Sequence, residues 1–339
     1  MTDIGNNTGG SPAAEFAGSI VDFGRTARSR VYPDGVFFDL YGFPDFLPYA
    51  RTVIETGPVP PGLGIDEARV TDVLSANLAA AGTGDPLYAD VVETATPRGW
   101  TWHHAPHTAP TRRLLYLVPI DVKNAIRHHG GVATMTVDRD RTGLWSPIEQ
   151  ARVPVTLQVG RPLTDVDLSH LEGKYLHGQL PHAYRQLLID NGGGAPSRPA
   201  VHMRHGFVLD QQFLNLYGEY DPYDLLDVAA RLADRLTADQ LAIAWVQGGA
   251  LVLKTRGEDA GSVWYWDNDD RHARQGDSPE ATVALLSRLA DDITTLLADE
   301  LVQVPDELDE IARTAVAGGY FRPVADDHAG AALPADLRP

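Results

Sequence analysis

The chain contains no cysteine among its 339 residues. That absence removes disulfide scaffolds, thiolate metal sites, iron–sulfur clusters and cysteine nucleophiles together, so any metal has to be held by His, Asp, Glu, Asn or water. Long apolar runs are missing too. The longest, Leu114 to Ile120, falls far short of the roughly 18 residues that span a bilayer, so no membrane contact is expected. The first residues are polar and rich in Gly and Asn, with no basic segment leading into an apolar one; no secretory leader is expected, and a cytoplasmic location is. Cations are scarce: 28 Lys and Arg stand against 46 Asp and Glu, a net charge of −18. A polyanion-binding surface made by the whole chain is therefore excluded, because phosphate affinity is dominated by cations.

What is present narrows the class further. A hydrophobic fraction of 43% with 6 Trp and 12 Tyr excludes global disorder, while 32 Gly and 24 Pro call for many turns. The length suits two domains. Charge is unevenly placed: residues 1–145 hold 12 cations and 16 anions, residues 146–339 hold 16 and 30. Within the first half, residues 98–141 form a basic island of seven cations and three anions that also carries five of the twelve histidines. Local field, not total charge, steers a polyanion.

Periodicity and punctuation give the expected organisation. Residues 1–24 read as disordered, 25–137 as a small domain, 138–147 as a polar linker, 148–322 as a second domain and 323–339 as a tail. In the first domain, Ile65 to Ala81 has apolar residues at helical steps. Trp100 to His104 and Leu114 to Val118 read as paired strands, and Pro119 opens a helix expected to run to His129, with Gly130 as its stop. In the second, Leu180 to Asp190 reads as a helix, Gly248-Gly249 as a hairpin turn, Ser262 to Trp266 as a third strand, and Pro279 to Leu301 as an amphipathic helix capped by Ser278. The expected class is α+β.

The histidines suggest chemistry. His103 and His104 are neighbours on a strand and point to opposite faces. One imidazole is then free to ligate a metal while the other takes a proton from water, since an unperturbed His titrates near pH 6.5. Arg112, Arg113 and Arg127 are placed to hold flanking phosphates. A His pair beside Trp also fits a structural role, and His128-His129 fits a helix C-terminal cap.

Trp102-His103-His104, Leu117-Val118-Pro119, and His128 with Gly130-Gly131 resemble the WHH group of HNH nucleases, a ββα-metal fold found in bacterial polymorphic toxins. Gly42-Phe-Pro-Asp-Phe46 and the Asp72 to Asn77 segment resemble that family's lead-in. The resemblance implies a metal-dependent endonuclease, with DNA ahead of RNA as substrate and one divalent ion, Mg or Zn. It makes His103 a metal ligand, His104 the general base and His128 a second ligand. Where the family carries another helix histidine, this chain has Lys123, which cannot ligate while protonated. Asn124, an i, i+4 partner of His128 on a helix, leaves a His, Asn, His site open; the alternative is a weakened or dead site in which the Lys123 ammonium takes the ion's place.

Leu180-Pro181, Asn191-Gly192-Gly193, Gly248-Gly249 and Gly261 to Asp267, in that order, resemble the SUKH superfamily. This implies a protein-binding α+β domain with an antiparallel sheet and flanking helices, an immunity-type partner of toxin nucleases. The expectation is thus a small HNH-like domain followed by a SUKH-like domain that restrains it in cis or binds a related toxin. The competing expectation is an inactive nuclease-like domain in an immunity or binding protein.

Overall fold

The computed structural model describes residues 16–23, 27–58, 63–106, 113–126, 153–176, 178–218, 221–267, 282–283 and 285–324. Ile20–Val21 (β1), inside the stretch expected to be disordered, pairs with Val36–Phe37 (β2) on either side of a short helix, Ala27–Val31 (α1). Thr52–Thr56 (β3), Trp100–His104 (β4), Arg113–Pro119 (β5) and Phe321–Pro323 (β13) build an antiparallel sheet in the order β13-β3-β5-β4. The expected hairpin forms, with Trp102 facing Leu117 and His104 facing Leu115 across it.

Ile65–Ala81 (α2) lies against one face of this sheet. Its first turn carries Asp66 and Glu67, which suit the positive end of the helix, and the Glu67 carboxylate accepts from the Gly64 amide at 2.9 Å. Every residue from Glu67 to Ala80 is buried, because the helix is covered by the sheet on one side and by Asp306–Ala317 (α8) on another. Val70, Val73 and Leu74 pack on Ile54, Leu115 and Leu117, and each such apolar side chain contributes about 1.5–3 kcal/mol when removed from water. The opposite sheet face holds Phe38, Phe46, Val118, Val122 and Ile126. Alternation along β5 explains the division: Leu115 and Leu117 go to one core, Tyr116 and Val118 to the other.

In the second half, Asp165–His170 (α4), His182–Asp190 (α5) and Leu225–Arg231 (α6) surround a sheet of Gln240–Val246 (β8), Gly249–Lys254 (β9), Val263–Asp267 (β10) and Leu286–Ala290 (β11). Gly248 turns the β8–β9 hairpin with φ +100°, a conformation other residues rarely adopt. A smaller sheet joins Ala200–His202 (β6), Phe207–Leu209 (β7) and Val302–Gln303 (β12). The long helix expected over 279–301 is not found in its described part. Leu286–Ala290 is instead a strand on the β10 edge, and Ile293–Thr295 (α7) starts a short helical stretch capped by Asp292. The edge of β10 takes Leu286–Ala290 as a paired strand, so tertiary pairing overrides a spacing that is helical only locally.

The two halves share their interior. Val201, Val208, Val302, Leu308, Ala312 and Phe321 belong to the core around α2 and the first sheet, and Ile120 belongs to that of the second half. The end of the described chain returns to the first sheet as β13, where Phe321 pairs with Thr56. The expected linker at 138–147 lies outside the described residues.

Candidate functional site

The Trp-His-His triplet occupies β4, the edge of the first sheet, and each member meets a side chain from an earlier segment. Trp102 donates its indole N–H to Asn77 Oδ1 at 2.7 Å. His103 packs edge-on against the Phe46 ring, with centroids 4.8 Å apart. His104 Nε2 lies 3.0 Å from Asp72 Oδ2. Trp102 and His104 share the α2 face while His103 points to the aromatic face, the alternation that a strand imposes. The stretches Gly42–Phe46 and Asp72–Asn77, which the resemblance treats as a lead-in, are thus what encloses the triplet.

Asp72 is buried and accepts from two side chains, Arg113 and His104. Arg113 grips it with both terminal nitrogens and also donates to Thr56 Oγ1 at 2.9 Å and to the Gly57 carbonyl at 3.2 Å. Burial pushes the Asp72 carboxyl up, but Arg113 and His104 together hold it below the usual carboxylate range. An ionised carboxylate only accepts hydrogen bonds, so the proton between it and His104 belongs to Nε2. The arrangement is that of an imidazole oriented by a carboxylate.

A small cleft beside His104 is walled by both halves: Arg69 and Trp102 from the first, Gly206, Gln247 and Gly248 from the second. Gln247 closes the free edge of β4. Its side-chain oxygen accepts from the Trp102 amide at 3.1 Å and from Thr101 Oγ1 at 2.9 Å. Its amide donates to Thr96 Oγ1 and to Asp210, each at 3.0 Å. Asp210 also accepts from the Thr96 amide at 3.0 Å, and burial pushes its carboxyl up against these donors. Arg69 pairs with Asp267 at 3.0 Å and Arg98 with Asp221 at 2.7 Å, so at both places a first-half cation meets a second-half carboxylate.

The remaining expected residues are distributed as follows. Arg113 is turned inward onto Asp72, because β5 aims it at the buried carboxylate and leaves none of its face to a phosphate. Lys123 is buried at the end of Ile120–Lys123 (α3). That helix is one turn long in the described chain; Asn124 is its C-cap residue and Ile126 reaches back only to Lys123. The expected run to His129 is therefore interrupted at Asn124, and the same-face relation between Asn124 and His128 loses its premise. Arg112, Arg127, His128 and His129 lie outside the described residues. Among the described residues no three of His, Asp and Glu come together to hold a metal, and His103 and His104 face opposite ways. The described donors alone do not fit a divalent ion.

Sequence reading gives no role to Asp72, Gln247 or Arg235. Asp72 does carry a signal: a carboxylate among apolar positions of a helix predicts a buried partner.

Comparison with known families agrees with the two halves. Residues 92–138 match WHH, a nuclease of the HNH/ENDO VII superfamily with conserved WHH. Residues 162–299 match the SMI1/KNR4 family, SUKH-1. No curated protein matches the chain.

Proposed function

From a chain that joins a WHH nuclease segment to a SUKH-1 segment, we propose a toxin-type endonuclease, acting on DNA ahead of RNA in the cytoplasm, that its own second half keeps closed. The observation that carries this reading is the cleft at His104, whose far wall is made by Gly206, Gln247 and Gly248. A duplex has no access to the imidazole while that wall stands.

His104 is the general base, accepting a proton from water at Nδ1, and Asp72 orients it through Nε2. Arg113 acts through Asp72 and not on substrate: it balances a charge that would otherwise be buried alone. Phosphate contacts are left to Arg112 and Arg127. The divalent ion, Mg or Zn, is assigned to His103 and His128 by the family resemblance alone; the Asn124 alternative falls with the end of the helix at Lys123. When bound, such an ion stabilises charge on the scissile phosphate and the leaving oxygen.

Arg69→Ala with Arg98→Ala in the full chain removes two of the ion pairs between the halves, Arg69–Asp267 and Arg98–Asp221, and tests the reading. Nicking of supercoiled plasmid in Mg, Mn or Zn should rise over the wild type. Adding His104→Ala should then lower it by about 10²–10⁴-fold, the usual contribution of a general base. A folded double variant that never nicks would sink the nuclease and favour the second reading, a silent nuclease-like module in a protein that binds a related toxin. Lys123, buried where the family has a metal ligand, is the observation on that side.

A further inference from the structure

We propose that Gln212, Tyr217, Asp221 and Tyr223 of the SUKH-1 half form a seat for an arginine side chain, filled in cis by Arg98 and able to take the arginine of a protein partner in its place. The four lie between β7 and α6, inside the SUKH-1 match, and Arg98 stands just before β4 in the WHH match. Nε of Arg98 donates to Gln212 Oε1 at 3.1 Å, and Nη2 donates to Asp221 Oδ2 at 2.7 Å. The guanidinium carbon lies 4.9 Å from the centre of the Tyr223 ring and 5.9 Å from that of Tyr217, within the range in which a ring face attracts a cation. Two donors at a fixed separation on a flat cation distinguish arginine from lysine, whose ammonium has neither the Nε donor nor a planar face.

The second half holds this seat in shape with its own contacts. The Tyr223 amide donates to Asp221 Oδ1 at 2.9 Å, which leaves Oδ2 to the guanidinium. Asp224 takes the amides of Tyr217 and Gly218 at 2.9 and 2.8 Å with one oxygen and caps α6 with the other. Tyr223 is fully buried, and its hydroxyl donates to Gln211 Oε1. A site ordered in advance gives up little freedom when a ligand arrives. The same hydroxyl accepts from the Gly99 amide at 3.0 Å. The seat thus meets the main chain beside the arginine, which fits a polypeptide ligand better than a free cation.

Exposure separates this contact from the other ion pair between the halves. The Arg98 side chain is 53% exposed, whereas that of Arg69 is 7% exposed. Arg98 is therefore exchangeable from the solvent side without opening the core. The seat stands on these contacts alone, and only its consequence rests on the closed-nuclease reading: a partner's arginine in the seat deprives Arg98 of Asp221 and loosens the closure.

The test uses the full chain with Arg98→Ala, which empties the seat, and two probes: ethylguanidinium, the part of the side chain removed, and the α-acetyl amide of arginine, a peptidyl arginine. Ring-proton shifts of Tyr217 and Tyr223 should saturate with both. The corresponding lysine amide should bind about fivefold more weakly, and adding Asp221→Asn should weaken the arginine amide by a similar factor. The wild type should bind it about tenfold more weakly, because its seat is filled. No saturable shift, equal affinity for the lysine amide, equal affinity in the wild type, or binding of ethylguanidinium alone overturns the proposal; Arg98→Gln decides if Arg98→Ala fails to fold. Arginine-selective binding in a chain that never nicks plasmid would keep the seat and remove the nuclease reading. Nicking by the Arg69→Ala, Arg98→Ala chain with neither probe bound would do the reverse.

Discussion

Asp72 is the residue on which the first half turns, since His104 and Arg113 both converge on it in the interior. Removing one member of a buried ion pair leaves the other uncompensated, so Asp72→Asn should cost about 3–5 kcal/mol, read from urea unfolding at pH 7. Its pH dependence has a fixed sign. The folded carboxyl lies below its unfolded value, so its contribution is present above about pH 4, the ordinary carboxylate value, and is lost as pH falls through the folded value. Wild-type stability should therefore drop on acidification more steeply than that of Asp72→Asn, and parallel curves would show that Asp72 is not depressed. Gln247 tests the interface at the same scale. Gln247→Ala leaves the Trp102 amide and Thr101 hydroxyl without their acceptor, a loss of about 1–3 kcal/mol, and exchange at the Trp102 amide should quicken while that at Leu117, inside the sheet, does not.

At the scale of elements, the legible parts are those whose signal is local. Ile65–Ala81 has regular apolar steps and acidic residues in its first turn, and it forms with those bounds. The Trp100–His104 and Arg113–Pro119 hairpin and the Gly248 turn follow from alternation and from glycine. The described part of Pro279 to Leu301 departs from expectation because the edge of β10 pairs with Leu286–Ala290 and overrides a spacing that is helical only locally. Of the helix after Pro119 the described part is one turn ending at Asn124, whose carbonyl and that of Ala125 accept from the distant Arg235. At the site, His103 and His104 on opposite faces are legible from strand geometry, whereas Asp72 as the partner of His104 requires knowing that α2 crosses β4. Gly248 joins the local to the distant. A Cβ there would lie 2.0 Å from Arg69 Nη2, on a backbone with φ +100°. Gly248→Ala should then cost about 1–3 kcal/mol in backbone strain and displace Arg69 from Asp267, which would show as a lower thermal midpoint together with weaker salt dependence of that midpoint. A midpoint equal to the wild type would mean that the turn tolerates alanine and that Arg69 has another seat.

For the whole molecule, charge and topology bear on the same question, whether the halves part. The first half is nearly balanced and the second strongly acidic, and Arg69 and Arg98 reach across to aspartates. The Arg98 pair is exposed and worth little alone, whereas Arg69 is buried beside Asp267. Apolar burial contributes more: Val201, Val208, Leu308, Ala312 and Phe321 fill the core around α2, and β13 completes the sheet that carries His103 and His104. A fragment ending before the second half would lack α8 and β13 and expose the outer side of β3, so it would not report on the nuclease module as it exists in the chain. Two consequences can be measured. Urea unfolding of the full chain should give one transition, with far-ultraviolet circular dichroism and tryptophan fluorescence superimposed, because neither half keeps a complete core without the other. Deleting residues 306–339 should destabilise the first sheet selectively: each buried apolar side chain lost removes about 1.5–3 kcal/mol, and amides of β3 to β5 should exchange fast while those of β8 to β10 stay protected. If the truncated chain keeps β3 to β5 protected, the C-terminal elements are an attachment and the halves are free to separate; the closure proposed for the His104 cleft would then rest only on a releasable contact.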